Sequence, residues 1–366
     1  MLTKGDDFPI HQTPEPVAYT GGQRNFYDRY FFNGYHRQDD VFFAGALGVY
    51  PYVNVMDAAI SVIVDGVQHN LIASKVMHGE RLDTRVGPVG VEVVEPLRTL
   101  RLIADDSRQN IQADLTFIAR APVQEEPRFT RRIGTQLMMD STRLTQNGVW
   151  DGWIVVGDKR IEVSADSWWG TRDRSWGIRT IGEPDAQPNP EGALQQFYWL
   201  WAPINWDDCV TLYHLNDDEL GRPWNTHGVY VPLDGQGEAE SMVQVSSEID
   251  YLSGTRHARE ARLRFERFGG GVCEITMRPR FHWYMKGVGY GHESHRHGSY
   301  HGELDVLSES YALAEVDDAL NLHIQGISDV EMKGDFGEKQ GRGVLEQLII
   351  GPHAPSGFTE LLDMAP

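Results

Sequence analysis

The chain is poor in cysteine, in basic charge and in long apolar runs. Its 366 residues include two cysteines, Cys209 and Cys273, and no CxxC pair, which excludes a disulfide framework and fits a reducing compartment. Lys and Arg number 33 against 53 Asp and Glu, a net charge of -20. So acidic a surface repels phosphate backbones and anionic bilayers, which excludes non-specific nucleic-acid binding. No segment reaches the roughly 18 apolar residues of a membrane span. The start, MLTKGDDFPIHQTPEPVAY, lacks the basic residues and apolar run of a signal peptide, so a cytoplasmic protein is expected. Walker A and GxSxG motifs are missing, and GVGYGH lacks both the βαβ context and the last glycine of a dinucleotide site. No cofactor is expected.

What the sequence does hold is a repeated strand grammar. AAISVIVDGVQHNLIA (58–73) reads as a hairpin turning at Asp65-Gly66. Residues 100–104 and 111–119 read as two strands across a polar turn. Another hairpin turns at Gly157-Asp158, and RLRFERFGGGVCEITMRP (262–279) alternates on both sides of a glycine turn. Further strands fill 302–332, and GRGVLEQLIIGPHA near the end is apolar enough for one more. A helical turn or two is expected only within 129–144, weakened by Gly134 and β-branched residues. Many short strands with frequent turns predict an all-β protein of barrels or sandwiches, long enough for two domains. GEPDAQPNPEG (182–192) has linker chemistry and divides the chain into domains 1–185 and 186–366.

Immediately before that linker stands SWWGTRDRSWGIR (167–179), with three tryptophans and three arginines around Asp173. Six of the ten tryptophans fall between Trp168 and Trp206. In QFYWLWAPINW (196–206), Tyr198, Leu200 and Ala202 share one strand face, while Phe197, Trp199 and Trp201 share the other.

The segments YDRYFFNGYHRQDDVFFAGALGVYPYVNVMDAAI, VVEPLRTLRLIAD, LTQNGVWDGWIVV, GTRDRSWGIR and MKGVGYGHESHRHGSYHGEL together resemble the two-domain, lipocalin-like family of carotenoid 1,2-hydratase (hydroxyneurosporene synthase) and AttH-like proteins. Among that family the chain is most similar to an uncharacterised bacterial branch. The resemblance implies two consecutive antiparallel calycin-type β-barrels with few helices. It also implies an activity on hydrophobic, often isoprenoid, small molecules; hydration, dehydration, cyclisation or plain lipid binding all fit. Fold analogy does not choose among them.

The residues narrow the choice. Hydrating an alkene requires a carboxylic acid kept protonated in an apolar site, a placed water and aromatic faces for the cation. Asp173 among Trp168, Trp169 and Trp176 has those ingredients, while Arg172 and Arg174 favour a buried ion-pair network instead. Tyr198 carries a hydroxyl that needs a partner if buried. GHESHRHGSYHGE (291–303) supplies His292, His295, His297 and His301 beside Tyr290. His295 and His297 share a face if the segment is a strand, yet without HExxH it reads as a polar loop rather than a metal site, with His292 or His297 as acid or base. Asp57, in an apolar run with Tyr50, either caps a turn or points inwards. His227 precedes a strand, where a structural role competes with a cavity-facing one. The expectation is a cofactor-independent, metal-free acid–base enzyme, a lyase or isomerase. It hydrates, dehydrates or isomerises a hydrophobic, terpenoid-type substrate in an aromatic-lined cavity. Asp173, Tyr198, His292, His297, His227 and Asp57 are its candidate catalytic groups, and Trp168, Trp176, Trp199, Trp201 and Tyr290 would line the pocket. A lipid or isoprenoid carrier and a shape-driven cyclase or pericyclase are the alternatives. The sequence leaves a homodimer open.

Overall fold

The structure, a computed structural model, describes residues 2–11, 23–106, 111–184, 187, 192, 194–233 and 237–366. The boundary expected at 185/186 and most of the linker expected at 182–192 lie outside the described residues. The chain divides into two compact units, residues 1–192 with 286–312, and 193–285 with 313–366. The 286–312 segment, placed in the second half by a simple cut at the linker, belongs to the first unit.

The strands of the first unit are β1 (Phe26–His36), β2 (Phe42–Tyr50), β3 (Val55–Val64), β4 (Val67–Val76), β5 (Arg85–Val86), β6 (Val89–Glu95) and β7 (Thr99–Asp106). They continue with β8 (Ile111–Ala119), β9 (Gln124–Glu125), β10 (Phe129–Ile133), β11 (Gln136–Val156), β12 (Lys159–Val163) and β13 (Trp168–Ile178). The second unit carries β14 (Phe197–Asn205), β15 (Cys209–Asp217), β16 (Pro223–Pro232), β17 (Glu240–Ser241), β18 (Gln244–Tyr251), β19 (Ala258–Glu266) and β20 (Val272–Tyr284). The chain then returns to the first unit for β21 (Leu304–Ala312) and ends in the second with β22 (Ile324–Gly334) and β23 (Lys339–Ile350).

In the first unit the order β21-β4-β3-β2-β1-β13-β11-β8-β7-β6-β5 curls into a nearly closed antiparallel barrel; the second unit is a curled half-barrel, β17-β16-β15-β14-β23-β22-β20-β19-β18. The all-β expectation holds. The helical turns expected within 129–144 are instead the β10–β11 hairpin, because Gly134 takes the left-handed conformation of its turn. The β3–β4 turn is the one expected, with Asp65 and Gly66 both at positive φ.

The barrel is filled by side chains. Trp150 lies at its centre, fully buried, edge-on to Phe43 and Phe117, and donates its indole N–H to the Asn33 carbonyl at 2.9 Å. Its room comes from a row of glycines in register across three strands: Gly34 opposite Gly170, and Gly170 opposite Gly148. A Cβ on Gly170 would stand 2.1 Å from the Asn33 carbonyl and 2.4 Å from the Trp150 ring nitrogen. Trp168 joins this core, which corrects its expected role as a pocket wall.

Candidate functional site

Strand alternation in β1 separates two polar clusters. Asp28, Tyr30 and Phe32 face the barrel interior, while Tyr27, Arg29 and Phe31 face outward; Tyr30 and Phe32 belong to the interior core.

The interior cluster answers the question raised by Asp173. Arg172 and Arg174 point into the barrel and pair with Asp7 and Asp28, all four side chains fully buried. Asp7 also accepts from the Leu97 N–H, Arg172 donates to Gln146 Oε1 at 2.9 Å, and the Arg174 guanidinium lies 4.0 Å from the Tyr30 ring centre. His11 links Asp28 and Asp6 and stacks on Trp176 at 3.7 Å. Asp173, between the two arginines in sequence, lies on the opposite strand face, half-buried and opposite Phe31 and Thr145 in register. The expected ion-pair network exists, but its carboxylates are Asp7 and Asp28.

The outward cluster brings together residues distant in sequence. Residues 286–303 cover the outer face of β1 to β4, tied there by Arg29 of β1 to the Val288 carbonyl (2.9 Å) and by Ser74 of β4 to the Ser299 carbonyl (3.0 Å). Beneath them Asp57, which lies within β3 rather than capping a turn, accepts the Tyr50 hydroxyl at Oδ1 (3.1 Å) and the Gly298 N–H at Oδ2 (2.8 Å). His297 Nδ1 is 3.8 Å from Oδ2. Its other nitrogen, Nε2, receives Arg29 at 2.5 Å. A guanidinium only donates, so the ring proton of His297 sits on Nδ1, facing Asp57. Tyr290 meets His297 edge-on at 4.2 Å and takes a hydrogen bond from Arg179 at 3.0 Å.

Burial raises the Asp57 carboxyl above its ordinary range, against the opposing pull of Arg29, the Gly298 N–H and the Tyr50 hydroxyl. The same burial lifts the Tyr50 phenol well above its usual value. Asp57 and His297 border a void of about 10 Å³, walled by Ala46, Ala58, Ala59 and Ile72. That is room for about one water. A wider open recess of about 530 Å³, lined in part by Val64, His69, Ile111, Val156 and Lys159, lies at the hairpin tips.

The remaining candidates are dispersed. His292 does not reach Asp57: its Nδ1 accepts the backbone N–H groups of Ser294 and His295, and its Nε2 faces Glu309 at 3.4 Å. His295 and His297 do not share a strand face, because 291–303 is irregular; His295 binds Asp305 at 2.8 Å. Tyr198 is in the second unit's core, stacked on His353 at 3.9 Å, with its phenol held well above its ordinary value by burial. Trp199 and Trp201 occupy the other face of β14, as the alternation predicts. Trp199 donates to Glu346 at 3.1 Å, and Glu346 also meets His323 and Gln325. His227 is opposite His214 across β15 and β16, ring centres 5.7 Å apart.

Asp57, His297 and Tyr290 therefore converge, joined by Arg29, Tyr50 and Arg179. Arg29 was findable: it is a charge inside the apolar strand YDRYFF. Glu346 and His323 give no comparable signal.

Fold and site together define a lipocalin-like all-β protein with a buried, acid-bearing polar cluster. By sequence the chain belongs to the Family of unknown function (DUF8625), matched over residues 2–359. No curated protein matches it. Among solved structures it is similar to kievitone hydratase from Nectria haematococca (TM-score 0.51, 12% identity, 88% of this chain and 89% of that one). It is also similar to a putative AttH from Nitrosomonas europaea (0.54, 13%, 88% and 92%) and to CghA in complex with Sch210972 (0.55, 11%, 90% and 89%). Likeness at these identities carries the fold.

Proposed function

We propose that this chain is a cofactor-independent acid–base enzyme, a hydratase, dehydratase or isomerase of a hydrophobic, isoprenoid-type small molecule, with Asp57 as its proton donor. The observation that carries the reading is a buried carboxyl, raised by burial yet held by two donors, at a water-sized void with an alanine wall. The fold likeness to a hydratase is consistent with it.

In hydration the Asp57 proton passes to one alkene carbon as the π bond breaks, and positive charge develops on the other. Water in the void forms the new C–O bond and returns a proton to the Asp57 carboxylate, so the acid is regenerated. Tyr50 and the Gly298 N–H stabilise the carboxylate between these steps. His297 is a positioning residue, because Arg29 occupies its lone pair. Dehydration is the same path reversed; isomerisation returns a proton from carbon instead of adding water.

The test starts from small molecules that co-purify with the chain, identified by mass spectrometry and incubated with it in water enriched in the heavy oxygen isotope. The reading expects a product that has gained, lost or relocated a proton, with heavy oxygen where water adds. Asp57→Asn should slow turnover about 100-fold or more, the usual worth of a general acid, while melting cooperatively. A ligand recovered unchanged marks a carrier, and full turnover in folded Asp57→Asn removes Asp57 as the donor.

A further inference from the structure

A second constellation, in the other unit, is independent of the Asp57 reading. His257 enters β19 fully buried, with its backbone N–H held by Thr255 Oγ1 at 3.0 Å. Its Nε2 lies 2.9 Å from the Asn321 carbonyl. A carbonyl only accepts, so Nε2 carries a proton, and in the neutral ring the lone pair is then on Nδ1. Nδ1 is buried and has no hydrogen-bond partner among the described residues; Asp318 Oδ1 faces it at 3.4 Å. His282, on β20, sets its ring edge-on to His257 at 4.9 Å, and the Tyr284 hydroxyl donates to Asp318 Oδ1 at 2.6 Å.

A lone pair pointed at a carboxylate, with a second imidazole beside both, is an arrangement that a cation resolves. One ligand atom from each of His257, His282 and Asp318 lies within 4.8 Å of the others. Ligands bound at about 2.0–2.2 Å around a tetrahedral zinc stand roughly 3.4 Å apart, so the set closes with side-chain shifts of about 1 Å. The outer partners are those of a metal site: a carbonyl fixes the His257 tautomer and a hydroxyl orients Asp318. The Asp318 side chain is 32% exposed, which gives an ion its entry path and leaves a further coordination position to water.

We propose that His257 Nδ1, His282 and Asp318 bind one divalent cation of the zinc class. The competing arrangement is a doubly protonated His257 in a plain ion pair with Asp318. The histidine group at His295, His301 and Asp305 is a weaker candidate, since His295 already hydrogen-bonds through both nitrogens and stacks on His301 at 4.1 Å.

The full chain, stripped with a chelator and dialysed, is titrated with Zn²⁺ by calorimetry and with Co²⁺ by visible absorption. One ion per chain is expected, with a ligand-field band for Co²⁺. His282→Ala and Asp318→Asn should each weaken binding by more than the roughly 10–100-fold that loss of an outer partner costs, and His301→Ala should leave it unchanged. His282→Gln replaces either variant if one fails to fold. No saturable binding by the wild-type chain, binding that survives both substitutions, or binding lost in His301→Ala overturns the proposal.

Discussion

Replacing Asp7 by Asn removes one buried charge from the first unit while keeping the side chain's shape. Asp7 receives both terminal nitrogens of Arg172 and the Leu97 N–H, and both charged side chains are fully buried. The amide can still accept one of these bonds, but Arg172 becomes a cation without a counter-charge, far from water. Breaking one partner of such a pair costs about 3–5 kcal/mol, and for a unit of this size that is a fall in Tm of roughly 6–20 °C. Differential scanning calorimetry of the two proteins reads the shift in the transition of the first unit. Adding Arg172→Met to Asp7→Asn should recover part of the loss, since the second change removes the stranded charge. A shift below about 2 °C would refute the reasoning, because the buried Asp7–Arg172 pair would then contribute little to the stability of the first unit.

Asp57→Asn should stabilise the fold at neutral pH. A carboxyl whose folded pKa is raised binds its proton more tightly folded than unfolded, so its ionisation destabilises as pH climbs from the ordinary 3.8 through the raised folded value. The gain should fade as pH falls toward 3.8, read from denaturant midpoints of both proteins. Gly170→Ala should cost about 1–3 kcal/mol by overpacking, because its Cβ meets the Asn33 backbone and the Trp150 ring; a urea melt measures it. Burial pushes both thiols, Cys209 and Cys273, up to about 12. Neither should react with maleimide in the native chain at neutral pH, and both should react in denaturant.

Local structure was legible because its causes are local. Asp65-Gly66 and Gly157-Asp158 supply their own turn geometry, and the alternation in QFYWLWAPINW assigns Tyr198 and Trp199 to opposite faces without help from elsewhere. The 129–144 segment misled because Gly134 weakens a helix and makes a hairpin turn equally well. The site was harder to read. SWWGTRDRSWGIR displays its charges, but their partners, Asp7 and Asp28, come from the chain's start, and Asp173 is turned away from both. Asp57 and His297 were each visible as polar residues in odd places; that they meet depends on the 286–303 segment returning to the first unit, a long-range event with no local signature.

The central claim is that Asp57 is a proton donor, and the direct measurement is its own titration. Carboxyl-carbon NMR of chain labelled at aspartate, with Asp57→Asn identifying the signal, gives the midpoint without any substrate. The account predicts a midpoint above 3.8 that rises further in Tyr50→Phe, where one donor to the carboxylate is removed. A midpoint at or below 3.8 would contradict it, since the carboxyl would then be an ordinary structural anion.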